Sequence, residues 1–306
     1  MTGPIFSQMV QLFSILIIGY ILCKRDVMNA DFTRRLNKIV VNVTLPALIL
    51  SAVLGAEGSD NALVFYLFGL AVVMFLVLPF VTLGVAKLMR FPKQEEGLYA
   101  FMMAYSNIGF MGYPVIRAVY GDIGVFYTSI FNIMFNVSGF TLGIWLIHRG
   151  SGSKAPFTPK KLLSPGILFS ALAIVFYLLK VQLPDPVCEL IRTIGNLTTP
   201  LAMLLIGATL GQIPLKEVFN DWHMYPFTVV KQILLPLALW PLIRLVTSDP
   251  MIRGIMLVLM AMPVANTSVL FATEFGLAEK TAAKNVFFTT LVSILTVPLV
   301  VMICGV

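Results

Sequence analysis

Two apolar stretches hold the residues whose types and spacing could do chemistry. Met102 to Gly121 places Ser106, Asn107, Gly109, Gly112 and Pro114 inside a run otherwise suited to lipid. Leu259 to Gly276 does the same with Pro263, Asn266, Thr267 and Ser268. Polar side chains and helix breakers at mid-membrane are costly unless they line a protein-buried or watery site. Two glycines and a proline predict that the first helix stops near Asn107 and restarts near Pro114. In the second stretch Pro263 should end one half, with Asn266, Thr267 and Ser268 offering caps for the next. Half-helices restarting at the midplane point unpaired N–H groups inward, and two such ends carry together about one positive charge. The expected ligand is therefore an organic anion, most simply a carboxylate. Helix packing is the blander account of the same glycines and prolines.

The elements that must position these breaks follow from composition. Of 306 residues, 58% are hydrophobic and 11% charged, and the mean hydropathy is +0.93; a soluble domain has about 25% charged residues. An all-α polytopic membrane protein is expected. The net charge of +7 resides in short loops between apolar runs, a membrane-orientation signature and not a nucleic-acid footprint. Cys23, Cys188 and Cys304 are scattered, and His148 and His223 sit at span ends. Neither a disulfide framework, a metal site nor an enzyme's nucleophile and base is suggested, so no cofactor is expected. The N-terminus lacks a basic n-region and a small-residue cleavage site, so the first apolar run is expected to be a retained helix.

Ten segments are long enough to span: about 4–23, 38–56, 62–86, 97–120, 124–147, 165–183, 190–211, 223–246, 252–275 and 283–304. With the N-terminus outside, the inside loops collect fifteen cations: Lys24, Arg25, Arg34, Arg35, Lys38, Lys87, Arg90, Lys93, Arg149, Lys154, Lys160, Lys161, Lys216, Lys280 and Lys284. Five fall outside, namely Arg117, Lys180, Arg192, Arg244 and Arg253. This bias predicts both termini extracytoplasmic in a cytoplasmic (inner) membrane. A polar linker over 149–164 separates residues 1–148 from 165–306. The halves share a pattern: Asn42-x-Thr44-x-Pro46 and Asn196-x-Thr198-x-Pro200 are 154 residues apart, and Gly97 and Gly254, which lead the two broken spans, are 157 apart. Two five-helix repeats are expected, inverted because five is odd, with broken helices 4 and 9 at corresponding positions, the sequence pointer to a transporter's site.

Asn42, Thr44, Asn196, Thr198 and Thr199 suit either interhelical hydrogen bonding or a binding or coupling role. Asn132 and Asn136 share a helix face and read as interhelical glue. Lys231 lies about two turns into the eighth span, where its stem could snorkel or its charge could attract an anion or form an ion pair. Arg117 and Glu274 read as interfacial or gating residues. No carboxylate relay is visible, while sodium or proton coupling stays open. The spacings Gly139/Gly143 and Gly207/Gly211 suit close helix approach, within the chain or between copies.

At its breaks the sequence resembles the auxin efflux carrier family, which includes the plant PIN exporters and bacterial dicarboxylate permeases. The resemblance spans nearly the whole chain. It is carried by Leu36-Asn37-Lys38-Ile39-Val40 running into Pro46, by Ser106-Asn107 through Gly112-Tyr113-Pro114 to Arg117 and Gly121, and by Ala261-Met262-Pro263 leading to Phe271 and Glu274. It implies an elevator-type carrier with helices crossing at Pro114 and Pro263 and Asn107 at the carboxylate. It also implies a scaffold of helices 1, 2, 6 and 7, a mobile transport part of helices 3–5 and 8–10, and homodimers. The long central loop and the third-helix charged pair of plant members have no counterpart, which favours a small acid such as malate over auxin. The fold is also similar to that of bile-acid sodium symporters, so a sodium-coupled carrier of amphipathic steroid-like anions is the alternative.

Overall fold

The computed structural model describes residues 2–54, 61–149, 165–212, 219 and 221–305. The expected linker beyond Arg149, with Lys154, Lys160 and Lys161, lies outside these residues, as does Lys216. Of the described residues 84% are helical, and none of them forms a strand. Among the described residues, five stretches are long and apolar enough to cross a bilayer: Asn61–Leu88, Ile108–His148, Asp185–Gly211, Met224–Val246 and Glu279–Cys304. Val10–Lys24, Pro165–Leu178 and Pro250–Ala261 are shorter apolar helices. This is a multi-pass membrane protein.

In order, the helices are α1 (Thr2–Lys24), α2 (Ala30–Ile39), α3 (Leu45–Ser51), α4 (Asn61–Leu88), α5 (Glu96–Ala104), α6 (Tyr113–Ser138), α7 (Ile144–His148) and α8 (Pro165–Leu178). They are followed by α9 (Asp185–Asn196), α10 (Thr198–Gly211), α11 (Met224–Val229), α12 (Leu235–Val246), α13 (Pro250–Ala261), α14 (Thr267–Glu274) and α15 (Glu279–Cys304). The second expected span starts earlier than hydropathy indicates. Asn29 caps α2 by accepting from Phe32 N at 2.9 Å, and the charged first turns of α2 then continue into apolar α3. The seventh likewise starts at Asp185, and α9 meets α10 at Leu197.

π-helical turns join α2 to α3 (Val40–Thr44), lead into α6 (Ile108–Gly112), join α6 to α7 (Gly139–Gly143) and join α11 to α12 (Val230–Leu234). Three of them end two residues before a proline: Pro46, Pro114 and Pro236. A proline ring clashes with the carbonyl four residues back and offers no N–H; the wider π turn absorbs both. The fourth-span helix therefore resumes at Ile108, not near Pro114 as the glycines alone suggest. Within α6, Gly121 adopts φ 67° and ψ −161°, so the fourth and fifth expected spans part there. Glycine is the residue that enters this region without steric cost.

The chain forms two compact units. The first comprises Met1–Gly69, Gly109–Ile133 and Leu163–Pro214; the second comprises Leu70–Ile108, Met134–Leu162 and Leu215–Val306. In the first, α1 packs on α10 so closely that a β-carbon on Gly19 would strike the Leu204 carbonyl, and one on Gly207 the Leu16 carbonyl. Gly211 backs onto Cys23, and Gly195 of α9 onto the backbone of Leu48 in α3. In the second, Gly97 of α5 lies against Leu146, and Gly143 against the Phe101 ring. Both small-residue spacings noted in the sequence are thus used within the chain.

Gly207→Ala should lower stability by about 1–3 kcal/mol through overpacking at the α1–α10 contact. Gly69→Ala, at an exposed position with open space around it, should not. Thermal unfolding of the two variants in detergent measures the difference.

Candidate functional site

The two breaks expected from sequence include the pair of segments that meet in the second unit. α5 ends at Ala104 because Tyr105 turns extended, at φ −109° and ψ 100°. α13 ends at Ala261, with Met262 extended ahead of Pro263, as a residue preceding proline prefers. Ser106 and Val264 then pair as an isolated antiparallel bridge. Asn107 N donates to Pro263 O at 2.8 Å, and Ala265 N donates to Tyr105 O at 3.2 Å. Val264 N, which points away from this pair of bonds, donates to Thr289 Oγ1 of α15 at 3.1 Å.

Lys231 completes the arrangement. It is 1% exposed, so it neither snorkels nor meets water. It also has no carboxylate within ion-pair distance among the described residues. Its Nζ donates to Ser106 Oγ at 2.7 Å and to Met260 O, in the last turn of α13, at 2.9 Å. Ser106 Oγ lies 3.5 Å from the same carbonyl. The π turn at Val230–Leu234 turns two successive residues inward: the neighbour Gln232, also buried, donates Nε2 to Thr289 O at 2.9 Å. Ser106 and Met260 thus receive one cation, and Thr289 ties α15 both to the crossing and to Gln232.

Past the crossing, α14 restarts at Thr267. Asn266 occupies the cap position but does not cap: its backbone is already helical, at φ −60° and ψ −23°, and its side chain makes no cap bond. Side-chain capping needs an extended backbone, and the tight turn that bonds Ser268 N to Ala265 O and Val269 N to Asn266 O excludes it. Among the described residues, the buried Thr267 and Ser268 hydroxyls have no hydrogen-bond partner. Thr267 borders a cavity of about 10 Å³, walled by Phe101, Tyr105, Phe135, Phe140 and Phe271 with Asn136 and Gly139.

The remaining candidates belong to the first unit and are not gathered at one point. Gly109 and Gly112 lie in the π turn, and Pro114 is the second residue of α6. Asn42 and Thr44 turn back on their own helix, to Lys38 O at 2.7 Å and Val40 O at 3.4 Å. Arg117 donates to Asn196 Oδ1 at 2.7 Å and to Asp122 at 3.0 Å. Thr198 is buried with its hydroxyl unpaired among the described residues, while Thr199 is half-buried. Among the described residues no cluster of three or more His, Cys, Asp or Glu side chains could hold a metal.

A crossing of two interrupted helices, held by buried polar groups in an apolar all-helical chain, agrees with comparison against known families. The model described as Membrane transport protein matches residues 4–158 and 156–301. The chain belongs to this family, the auxin efflux carriers. It is similar to an uncharacterized transporter of Escherichia coli K12, YfdV, at 24% identity over 96% of this chain and 95% of that one. It is also similar to an uncharacterized transporter of Methanocaldococcus jannaschii, MJ1031, at 24% over 93% and 94%. A Rhizobium meliloti protein named "Putative malonate transporter" is 22% identical over 93% of this chain and 91% of that one. The chain is a membrane transporter of the family.

Sequence reading of this family member missed Gln232 and Thr289. A signal existed for the second: Asn285, Thr289, Ser293 and Thr296 fall at helical spacing along an otherwise apolar span, and all are buried. Tyr105 was also missed; its hydroxyl shares a 2.7 Å hydrogen bond with Ser138, which donates to Phe75 O at 2.7 Å. Thr289→Val keeps the shape but strands Val264 N. It should cost about 1–3 kcal/mol, read as a lower unfolding midpoint, whereas Thr296→Val, whose hydroxyl serves only its own helix, should cost less.

Proposed function

We propose that the chain is a secondary transporter moving a small organic carboxylate, with malonate and malate the first candidates, across the cytoplasmic membrane by elevator-type alternating access. One observation carries the reading. At the break between α13 and α14, the Pro263 carbonyl and the Val264 and Ala265 amides are taken up by protein, while among the described residues the first turn of α14 keeps two buried hydroxyls, on Thr267 and Ser268, without partners. The first N–H groups of a helix have no intrahelical partner and carry the positive end of its dipole. On this turn the Ser268 and Val269 amides already bond to Ala265 O and Asn266 O, so the donors left beside the positive end of the dipole are the two hydroxyls, which suit a carboxylate.

Asn107, Ser106 and Pro263 hold this turn in place and Asn266 leads into it. In the first unit, Gly109, Gly112 and Pro114 would supply the matching restart of the fourth helix. The neighbouring cavity of about 10 Å³ has room for about one water. Admission of a dicarboxylate therefore requires the aromatic wall to move, as an occluded step of alternating access would. Ten spans in two inverted five-helix repeats are part of the same proposal. They are supported by the antiparallel pairing of Ser106 with Val264 and by a family match that falls in two successive segments. So are a scaffold of helices 1, 2, 6 and 7, a mobile part of helices 3–5 and 8–10, homodimer formation, and extracytoplasmic termini. The relative named for malonate supports the substrate class. The sodium-coupled, steroid-anion reading has less support, because the Asn196 oxygen it would use accepts from the Arg117 guanidinium.

Reconstituted protein should take up and exchange labelled malonate or malate. Replacing Thr267 with Val and Ser268 with Ala together should weaken binding about tenfold or more, the scale of hydrogen bonds to a charged group. If no organic anion is taken up or displaced, and Asn107→Ala changes nothing measurable, the proposal fails.

A further inference from the structure

The second unit carries a groove that the crossing does not use. It has a volume of about 290 Å³ and runs between α4, α12 and α13, lined only by aliphatic side chains and methionines. Leu70, Met256 and Met260 form part of a buried floor, while Val77 and Leu242 on the walls are about half exposed, so the groove is open along its side. Two of its three helices belong to membrane spans. The opening therefore faces lipid tails. On α4 the lining extends from Leu70 to Val81, about 16 Å at 1.5 Å per residue, and one leaflet takes about 15 Å of a hydrocarbon core about 30 Å thick. At that length the groove has room for one alkyl chain but not for a helix, which is about 10 Å across.

The two ends of the groove differ. Met260, at the deeper end, supplies a carbonyl to the crossing. At the other end Val246 closes α12, and Arg253 stands one turn before Met256 on the same face of α13. Arg253 Nε donates to Thr247 O, next in the chain after Val246, at 2.6 Å. That bond holds the guanidinium at the mouth of the groove. Its two terminal nitrogens make no hydrogen bond among the described residues, and no carboxylate there lies within ion-pair distance. Asp249, the nearest acid in sequence, is occupied in capping α13 through the Met251 and Ile252 amides.

We propose that the groove is a binding site for one phospholipid, with an acyl chain between α4, α12 and α13 and the headgroup phosphate on Arg253. A guanidinium matches a phosphate in charge and in hydrogen-bond geometry, and basic sites between membrane helices are where lipid headgroups dock. The flexible methionines let the wall fit the chain. A tail that reaches Met260 packs against the last turn of α13, so occupancy steadies the helix end at which the two breaks meet. The inference holds whatever the carrier moves.

The test uses the full-length protein, stripped of lipid in detergent and titrated with phosphatidylglycerol or with diacylglycerol of the same chains. Native mass spectrometry counts the bound lipid, and thermal unfolding follows its effect. The wild type should saturate at one tightly held phosphatidylglycerol per chain and bind diacylglycerol about tenfold or more weakly, the scale of hydrogen bonds to a charged group. Arg253→Gln should erase that preference. Val77→Trp, which fills the groove from its exposed wall, should lose the tight site for both lipids, whereas Leu76→Trp, exposed on the same helix but outside the groove, should keep it. Saturation should raise the unfolding midpoint of the wild type and of Leu76→Trp by mass action, but not that of Val77→Trp. Equal lipid retention by the wild type, Val77→Trp and Leu76→Trp overturns the site. A changed oligomeric state of Val77→Trp with no loss of lipid also overturns it, and makes the groove a contact between copies. Equal wild-type affinity for the two lipids overturns the assignment of the phosphate to Arg253. Leu242→Trp, from the α12 wall, decides the same question if Val77→Trp does not fold.

Discussion

Backbone polar groups inside a membrane protein must find partners within it, and this requirement is sharpest where two helices break. The second unit meets it by bonding one break to the other. Asn107 N reaches Pro263 O, Ala265 N reaches Tyr105 O, Val264 N goes to Thr289 and Met260 O to Lys231. Four groups that would each cost several kcal/mol if stranded in apolar surroundings are satisfied by four different segments. The position of α15, the hydroxyl stripe along it, and the buried lysine and glutamine of the π turn all follow from that need.

Close helix packing supplies the frame. Gly97 and Gly143 let α5 and α7 approach until backbone and ring are in contact, which holds the end of α5 in place beside Tyr105 and its bond to Ser138. In the first unit Gly19 and Gly207 do the same for α1 and α10. Such contacts give van der Waals packing and close approach where lipid provides no hydrophobic force between helices.

Much of this was legible in the sequence. Hydropathy marked the chain as an all-helical membrane protein, and the breaks at Asn107 and Pro263 were visible as polar and proline interruptions of otherwise apolar runs. Local turn geometry was not. The fourth helix resumes at Ile108 because a π turn absorbs Pro114, and Asn266 fails to cap because its backbone is already helical. Single-residue patterns do not encode which turn a proline will be absorbed by. Lys231 was visible as a charge but not as a contact, since its partners lie 125 and 29 residues away. Asn42 and Thr44 look like counterparts of Asn196 and Thr198 in sequence, yet they bond to their own helix, a choice set by neighbours that a five-residue pattern does not contain.

The crossing also divides the labour of the site. Lys231 takes up the Met260 carbonyl at the end of α13, whereas in the proposed carrier the buried Thr267 and Ser268 hydroxyls of the opening turn of α14 would receive the anion. Solid-state NMR of membrane-embedded protein tests this most directly, by measuring dipolar coupling between carboxylate-¹³C malonate and ¹⁵N-labelled serine and threonine amides. The account predicts a carboxylate held at the Thr267 and Ser268 hydroxyls and therefore coupled to the nearby amides of these two residues. Bound malonate that shows no coupling to either amide would contradict it.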